Sequence, residues 1–345
     1  MARWIMKAQA NSRLWKEFMR LLIQLGAALT LMAGVMAART LSVGPGRPYA
    51  KPCEAVGQAV TGDIIEIDAG VYSGDVCAIL LNNLTLRGVG GRPRIEAAGN
   101  YAWGKGTWVI AGENTIIENI EFTGAAVPGG GGAAIRLDTG YLTVRNCYFH
   151  HNENGTLGGA YGNVFVEHSE FAYNGEGDST SHNIYITNGV ASFTLQFSYA
   201  HNGNAGPLVK SRATTNIIRH NRLTEEGGSG TYELDLPNGG VGYVIGNIFQ
   251  QDNATGNPAM LSFGMEGISS GVPVHQLFAV NNTFVNGRQA GGTYVLIGGG
   301  APAVLRNNIF AGPGVLTNQA AAQLSGNVVG GVDMGFANAS GYDYR

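Results

Sequence analysis

Apolar and polar residues alternate with a period of two through most of the chain, and the alternation returns as a recognisable phrase. Two alternating apolar residues are followed by Asn or His, a polar residue, and an aromatic or aliphatic one. Copies read Val144-Arg145-Asn146-Cys147-Tyr148-Phe149, Val166-Glu167-His168-Ser169-Glu170-Phe171, Ile218-Arg219-His220-Asn221-Arg222-Leu223 and Leu305-Arg306-Asn307-Asn308-Ile309-Phe310. With Asn119, Asn146, His168, Phe197, His220, Gly246, Asn281, Asn307 and Gly326 as markers, successive copies lie 19 to 35 residues apart. β-Branched and aromatic residues dominate each copy, which marks strands, and Gly and Asn punctuate the corners.

A unit this short cannot bury its own apolar face, so each copy must stack on its neighbours at the roughly 4.8 Å spacing of a sheet. The expectation is an all-β, right-handed parallel β-helix over residues 39–345, present as a single copy. A short helix within Lys51 to Val60 would cap its first rung, and the stretch from Gly330, where the pattern fades, would cover the other end. Asn119, Asn146, Asn281 and Asn307 recur at one corner, where stacked amides would satisfy turn backbone groups.

The first 38 residues differ in kind. Arg3, Lys7, Arg13, Lys16 and Arg20 precede an apolar run, Leu21 to Ala38, that ends in small residues, the layout of a signal peptide or of an uncleaved N-terminal anchor. Either reading places the repeats in an extracytoplasmic space. Five basic residues and Glu17 give this leader +4, so in a chain of net charge −3 the remainder carries −7. No basic face results, which excludes a nucleic-acid binder. Cys53 and Cys77 fall in the first turns and can pair in an oxidising compartment, while Cys147 sits in a repeat position suited to a buried thiol.

Alternation also says which residues look outward. Ile135 and Leu137 point in, so Arg136 points out; Ile184 and Ile186 point in, so Asn183 and Tyr185 point out; Leu234 and Leu236 point in, so Glu233 and Asp235 point out. Lys210 and Arg212 must face solvent, because two cations in an apolar core would be prohibitively costly. Stacking then gathers Asn183, Tyr185, Lys210, Arg212, Glu233 and Asp235 on one face. His182 stands at the strand entrance, His201 in the loop leading to the Lys210 rung, and Glu266 beyond the next rung.

Such a cluster suits β-elimination from an acidic sugar. Removing the proton alpha to a uronate carboxylate requires the carboxylate charge to be neutralised and a base to stand nearby. Arg212 fits the first task, Lys210 or Tyr185 the second, and Tyr185 or His182 the protonation of the leaving oxygen. Crowding by Arg212 gives Lys210 a reason to lose its proton, while Glu233 and Asp235 push the opposite way. Glu233, Asp235 and Glu266 would hold Ca²⁺ or orient substrate, with Asn183, His201 and Arg136 contacting the acidic polysaccharide.

The segment Leu208 to Leu223, with its Val-Lys-Ser strand followed by Arg, resembles the corresponding rung of the family six polysaccharide lyases, which include alginate lyases and chondroitinase B. That resemblance implies a pectate-lyase-like β-helix and makes Lys210 the catalytic base. The family places an arginine on the next rung, where this chain has Glu-Leu-Asp-Leu-Pro-Asn-Gly-Gly at 233–240. Alternatives on the same face are a hydrolase using Glu233 and Asp235, a uronate epimerase sharing the α-proton step, an adhesive glycan-binding solenoid, and a salt-bridge ladder that serves only solubility.

Overall fold

The computed structural model describes Arg20 and residues 38–345. The proposed leader, Arg20 apart, lies outside the described residues. Thr40–Arg345 forms one compact unit. Its chain winds through three parallel sheets of 12, 11 and 10 strands, here sheets I, II and III. One turn runs from sheet I (Leu142–Arg145) through a tight corner to sheet II (Tyr148–His150), then by a longer loop to sheet III (Thr156–Gly158) and back. Every pairing between successive turns is parallel and in register, as in Tyr148 on Glu170 on Tyr199 on Arg222.

The period-two pattern becomes buried and exposed positions directly. Strands Ile64–Asp68 and Asn163–Glu167 of sheet I alternate between core and surface. Inside sheet II the aromatic of each phrase stacks on the next: Phe122, Phe149 and Phe171 have ring centroids 5.1 and 4.6 Å apart, and Phe249, Phe284 and Phe310 repeat the arrangement at 4.7 and 5.1 Å. Outside sheet I, Glu66, Arg87, Glu118, Arg145 and Glu167 stand in register as a column of alternating charge, with Arg87 2.7 Å from Glu66 and Arg145 3.2 and 2.8 Å from Glu118 and Glu167. This column of charges lies on a different sheet from Lys210 and Arg212, whose own ion pairs are with Asp235 and Glu266.

All nine marker residues turn the tight corner with left-handed backbone, φ running from 49° at His168 to 68° at Gly246. Asn and Gly tolerate that conformation best, which explains their recurrence. The continuous amide ladder lies one residue later and inside the corner. Asn221, Asn247, Asn282 and Asn308 each accept the backbone N–H and the amide of the previous turn at 2.9 to 3.0 Å, except that Asn221 receives the Ser198 N–H alone.

A helix, Pro52–Val56, covers the first turn, and Cys53 is disulfide-bonded to Cys77 on the first strand of sheet III. Cys147 is buried and its thiol is pushed up to about 12 by burial. The C-terminal expectation fails. Met334, Phe336, Tyr342 and Tyr344 pack on Ile248, Val285 and Ala311, along the outside of sheet II, and leave the final turn open.

Candidate functional site

Sheet III carries the outward column that the alternation picks out. Arg136, Leu157, Tyr185, Lys210, Asp235 and Ser262 stand in register on successive strands. On the Lys210 strand Val209 and Ser211 are buried beneath, so Lys210 and Arg212 share the outer face.

Five side chains converge there. Lys210 Nζ lies 2.6 Å from Glu266 Oε1 and 3.1 Å from Asp235 Oδ2. Arg212 Nη2 lies 2.5 Å from the other oxygen of Glu266, while its Nε–H donates to Tyr185 Oη at 2.9 Å. One carboxylate thus bridges two cations. Arg212 also donates to Asn238 Oδ1, and Ser262 Oγ donates to Asp235. His182 is buried against the Tyr185 ring, centroids 4.8 Å apart, and its backbone N–H donates to Asn154 Oδ1 at 2.8 Å.

These neighbours set the charges. Burial works to deprotonate Lys210, but the hydrogen bond to Glu266 and the charge of Asp235 outweigh it and raise its pKa. Lys210 therefore keeps its proton: of the two opposed pushes expected, that of Asp235 prevails over that of Arg212. For Glu266 burial is likewise outweighed, by Lys210 and Arg212, which lower its pKa. Asp235 is pushed up by burial, with Ser262 and Lys210 pulling the other way. His182 falls to about 3, through burial first and the Lys210 charge second, so it is neutral at ordinary pH and unsuited to giving up a proton as an imidazolium.

Three expected site residues lie elsewhere. Asn183 is buried in an interior turn, accepting from Asn174 at 2.7 Å and donating to His201 O at 3.1 Å. Glu233 is 0% exposed, and neither of its carboxyl oxygens has a partner among the described residues. Burial, aided by Glu225, raises its pKa well above the usual range. Both residues fail for one reason. The sheet III strands begin only at Ile184 and Leu234, so the residue before each belongs to the incoming turn, where alternation does not apply. His201 is the last residue of a sheet II strand, Tyr199–His201, stacked on Tyr199 and 3.2 Å from Glu170 Oε1, and it is not on a loop to Lys210.

With Glu233 inside, the Glu233, Asp235 and Glu266 calcium set does not assemble, and the remaining two carboxylates close on an ammonium. The Glu233 and Asp235 hydrolase pair fails with it. Arg136 keeps its place in the column, two strands before Tyr185, and donates to Gly131 O at 3.2 Å. Asn238 and Ser262 were missed: Asn238 follows Pro237 at a corner, and Ser262 reads as an ordinary strand residue. A cavity of about 400 Å³ lined by Arg47, Lys51 and Tyr72 sits at the N-terminal turns, away from the cluster.

Residues 69–235, which include the Tyr185 and Lys210 strands, match the family model described as right handed beta helix region. The chain folds as a right-handed parallel β-helix. It is similar to the solved structure of pectate lyase Pel9A, with a TM-score of 0.57 and 13% identity over 86% of this chain and 81% of that one. Geobacillus virus E2 ORF18 is similar at a TM-score of 0.51 and 14% identity over 90% of this chain and 63% of the other. An alginate lyase from Paenibacillus sp. str. FPU-7 aligns at a TM-score of 0.46 and 14% identity, over 85% of this chain and 99% of that one. Identities this low bear on the fold alone. No curated protein matches the chain. Among the described residues no helix is long and apolar enough to cross a membrane.

Proposed function

We propose that the chain is an exported polysaccharide lyase that cleaves a uronate-containing polysaccharide by β-elimination on the outer face of sheet III. The observation that carries the reading is the Glu266 carboxylate held between Lys210 and Arg212, 2.6 and 2.5 Å away. Two cations that grip one carboxylate, on a solvent-facing strand beside a tyrosine, offer the recognition a uronate group needs. Glu266 is the most exposed member, with 45% of its side chain open to solvent, so an incoming sugar carboxylate takes its place.

With the carboxylate held by Arg212 and Lys210, the charge that develops at the α-carbon is stabilised. In the phenolate form, Tyr185 Oη, with the Arg212 guanidinium beside it, accepts the α-proton and becomes the neutral phenol. The C–H electron pair forms the C4–C5 double bond, the C4–O bond breaks, and the Lys210 ammonium donates a proton to the leaving glycosidic oxygen. Lys210, the base by the family six resemblance, is thus the proton donor in this reading, because it starts protonated, and Tyr185 takes the base's place.

The test incubates the protein with a panel of acidic polysaccharides and follows the ultraviolet absorbance of the unsaturated uronide. Tyr185→Phe and Lys210→Gln are each expected to lower kcat by at least about 10²-fold, the scale of general acid–base catalysis. A hydrolase is the second reading, favoured by the divergence of Asp235, raised, and Glu266, lowered. New reducing ends without absorbance would establish it. Inversion at C5 without cleavage would mean an epimerase, and binding without turnover an adhesive solenoid.

A further inference from the structure

The final turn of the solenoid ends in exposed core. Its strands Val315–Thr317, Gln323–Ser325 and Val328–Gly330 are the last members of sheets III, I and II, each paired on one side only. Leu324 continues the inward column of Ala279 and Leu305, and Val329 continues that of Phe284 and Phe310. The four earlier residues are 0% exposed, whereas Leu324 is 52% and Val329 56% exposed. Val315, Val328 and Val332 add 56%, 52% and 43%.

Charge is missing as well. From Asn307 to Val332, 26 residues, the chain has no Asp, Glu, Lys, Arg or His. Natural edge strands are ordinarily guarded by charge, by proline, or by a covering element. The opposite end has such a cover, the disulfide-tethered helix Pro52–Val56. At this end the tail that could have served lies along sheet II instead.

We infer that this end is an interface, on which two copies of the chain stack end to end about a two-fold axis. The shape selects the occupant. Three edges from three sheets, set around one triangular turn, can all be paired at once only by another turn of the same circumference. The helix-covered N-terminal end cannot supply one, so the partner is the same end of a second copy. A two-fold axis across the solenoid reverses the direction of winding, so all three contacts are antiparallel. Gln323–Ser325 meets its own copy, and Val315–Thr317 meets Val328–Gly330. The uncharged rung is self-complementary, with no like charges brought together.

Scaling a standard interface, about 800 Å² from 20–30 residues per partner, to the 16 residues of the turn 315–330 gives roughly 500 Å² per copy. That is a total of about 1,000 Å², the least a biological interface buries, so the pair is expected to form only at micromolar or higher concentrations and to dissociate on dilution.

Sedimentation of the full chain across a concentration series tests this. The expected result is a shift from one to two copies with rising concentration and no larger species. Leu324→Lys and Val329→Lys, at half-exposed positions, should each weaken pairing at least about tenfold while leaving the unfolding transition in place. Hydrogen exchange on the unaltered chain provides a second readout, with amides of residues 315–330 slowing as concentration rises. A single copy at every concentration, a pair indifferent to both lysines, or open-ended polymerisation would each overturn the inference.

Discussion

Lys210 illustrates how a buried contact decides what a residue can do. Only 14% of its side chain is exposed, with Asp235 still more buried beside it. Removing one partner of a buried ion pair costs on the order of 3–5 kcal/mol, so loss of activity in Lys210→Gln has to be read beside its melting curve. Asp75 offers a prediction free of the site. It is 2% exposed, accepts the Cys53 N–H at 3.1 Å, and is raised to about 6, chiefly by burial. A carboxyl raised from 3.8 contributes stability in full below pH 3.8 and loses it as pH climbs through 6. Asp75→Asn should therefore raise Tm at pH 8, by up to about 3 kcal/mol of stability, and have far less effect at pH 4. Thermal melts at the two pH values check it; equal shifts would contradict it. At this scale the outward positions of Tyr185, Lys210 and Asp235 were legible, because each is the central residue of its strand. Asn183 and Glu233 were not, because a strand of three residues ends before alternation can be carried one step further.

At the scale of elements, corner and ladder divide the work of one dipeptide. His220 takes the left-handed backbone, and Asn221 turns inward to bond the neighbouring turns. Asn247 is buried, donates to Ile218 O at 2.8 Å and accepts from Asn221 at 2.9 and 3.0 Å. Asn247→Ala leaves several buried groups unpaired, at about 1–3 kcal/mol each, and should destabilise the protein by several kcal/mol in total. Denaturant unfolding measures this, and a change within about 0.5 kcal/mol would show that the ladder is decoration. The marker recurrence was plain in the sequence. That the amide ladder follows the marker by one residue was hidden, since Asn occurs at both positions in Asn281-Asn282 and Asn307-Asn308.

For the molecule as a whole, stacking in register turns residues spread from His182 to Glu266 into one patch, and the repeat period made that legible. The fate of the C-terminal tail was not, because aromatics such as Phe336 and Tyr344 suit a lid and an outer sheet face equally well. The central claim is that this patch is built to hold a sugar carboxylate where Glu266 now lies. Calorimetric titration with a uronate oligosaccharide tests it most directly, in the unaltered chain, Arg212→Gln and Glu266→Gln. Arg212→Gln is expected to weaken binding at least about tenfold, some 1.4 kcal/mol, and Glu266→Gln to tighten it several-fold by removing the internal competitor. The same affinity in all three proteins would contradict the claim.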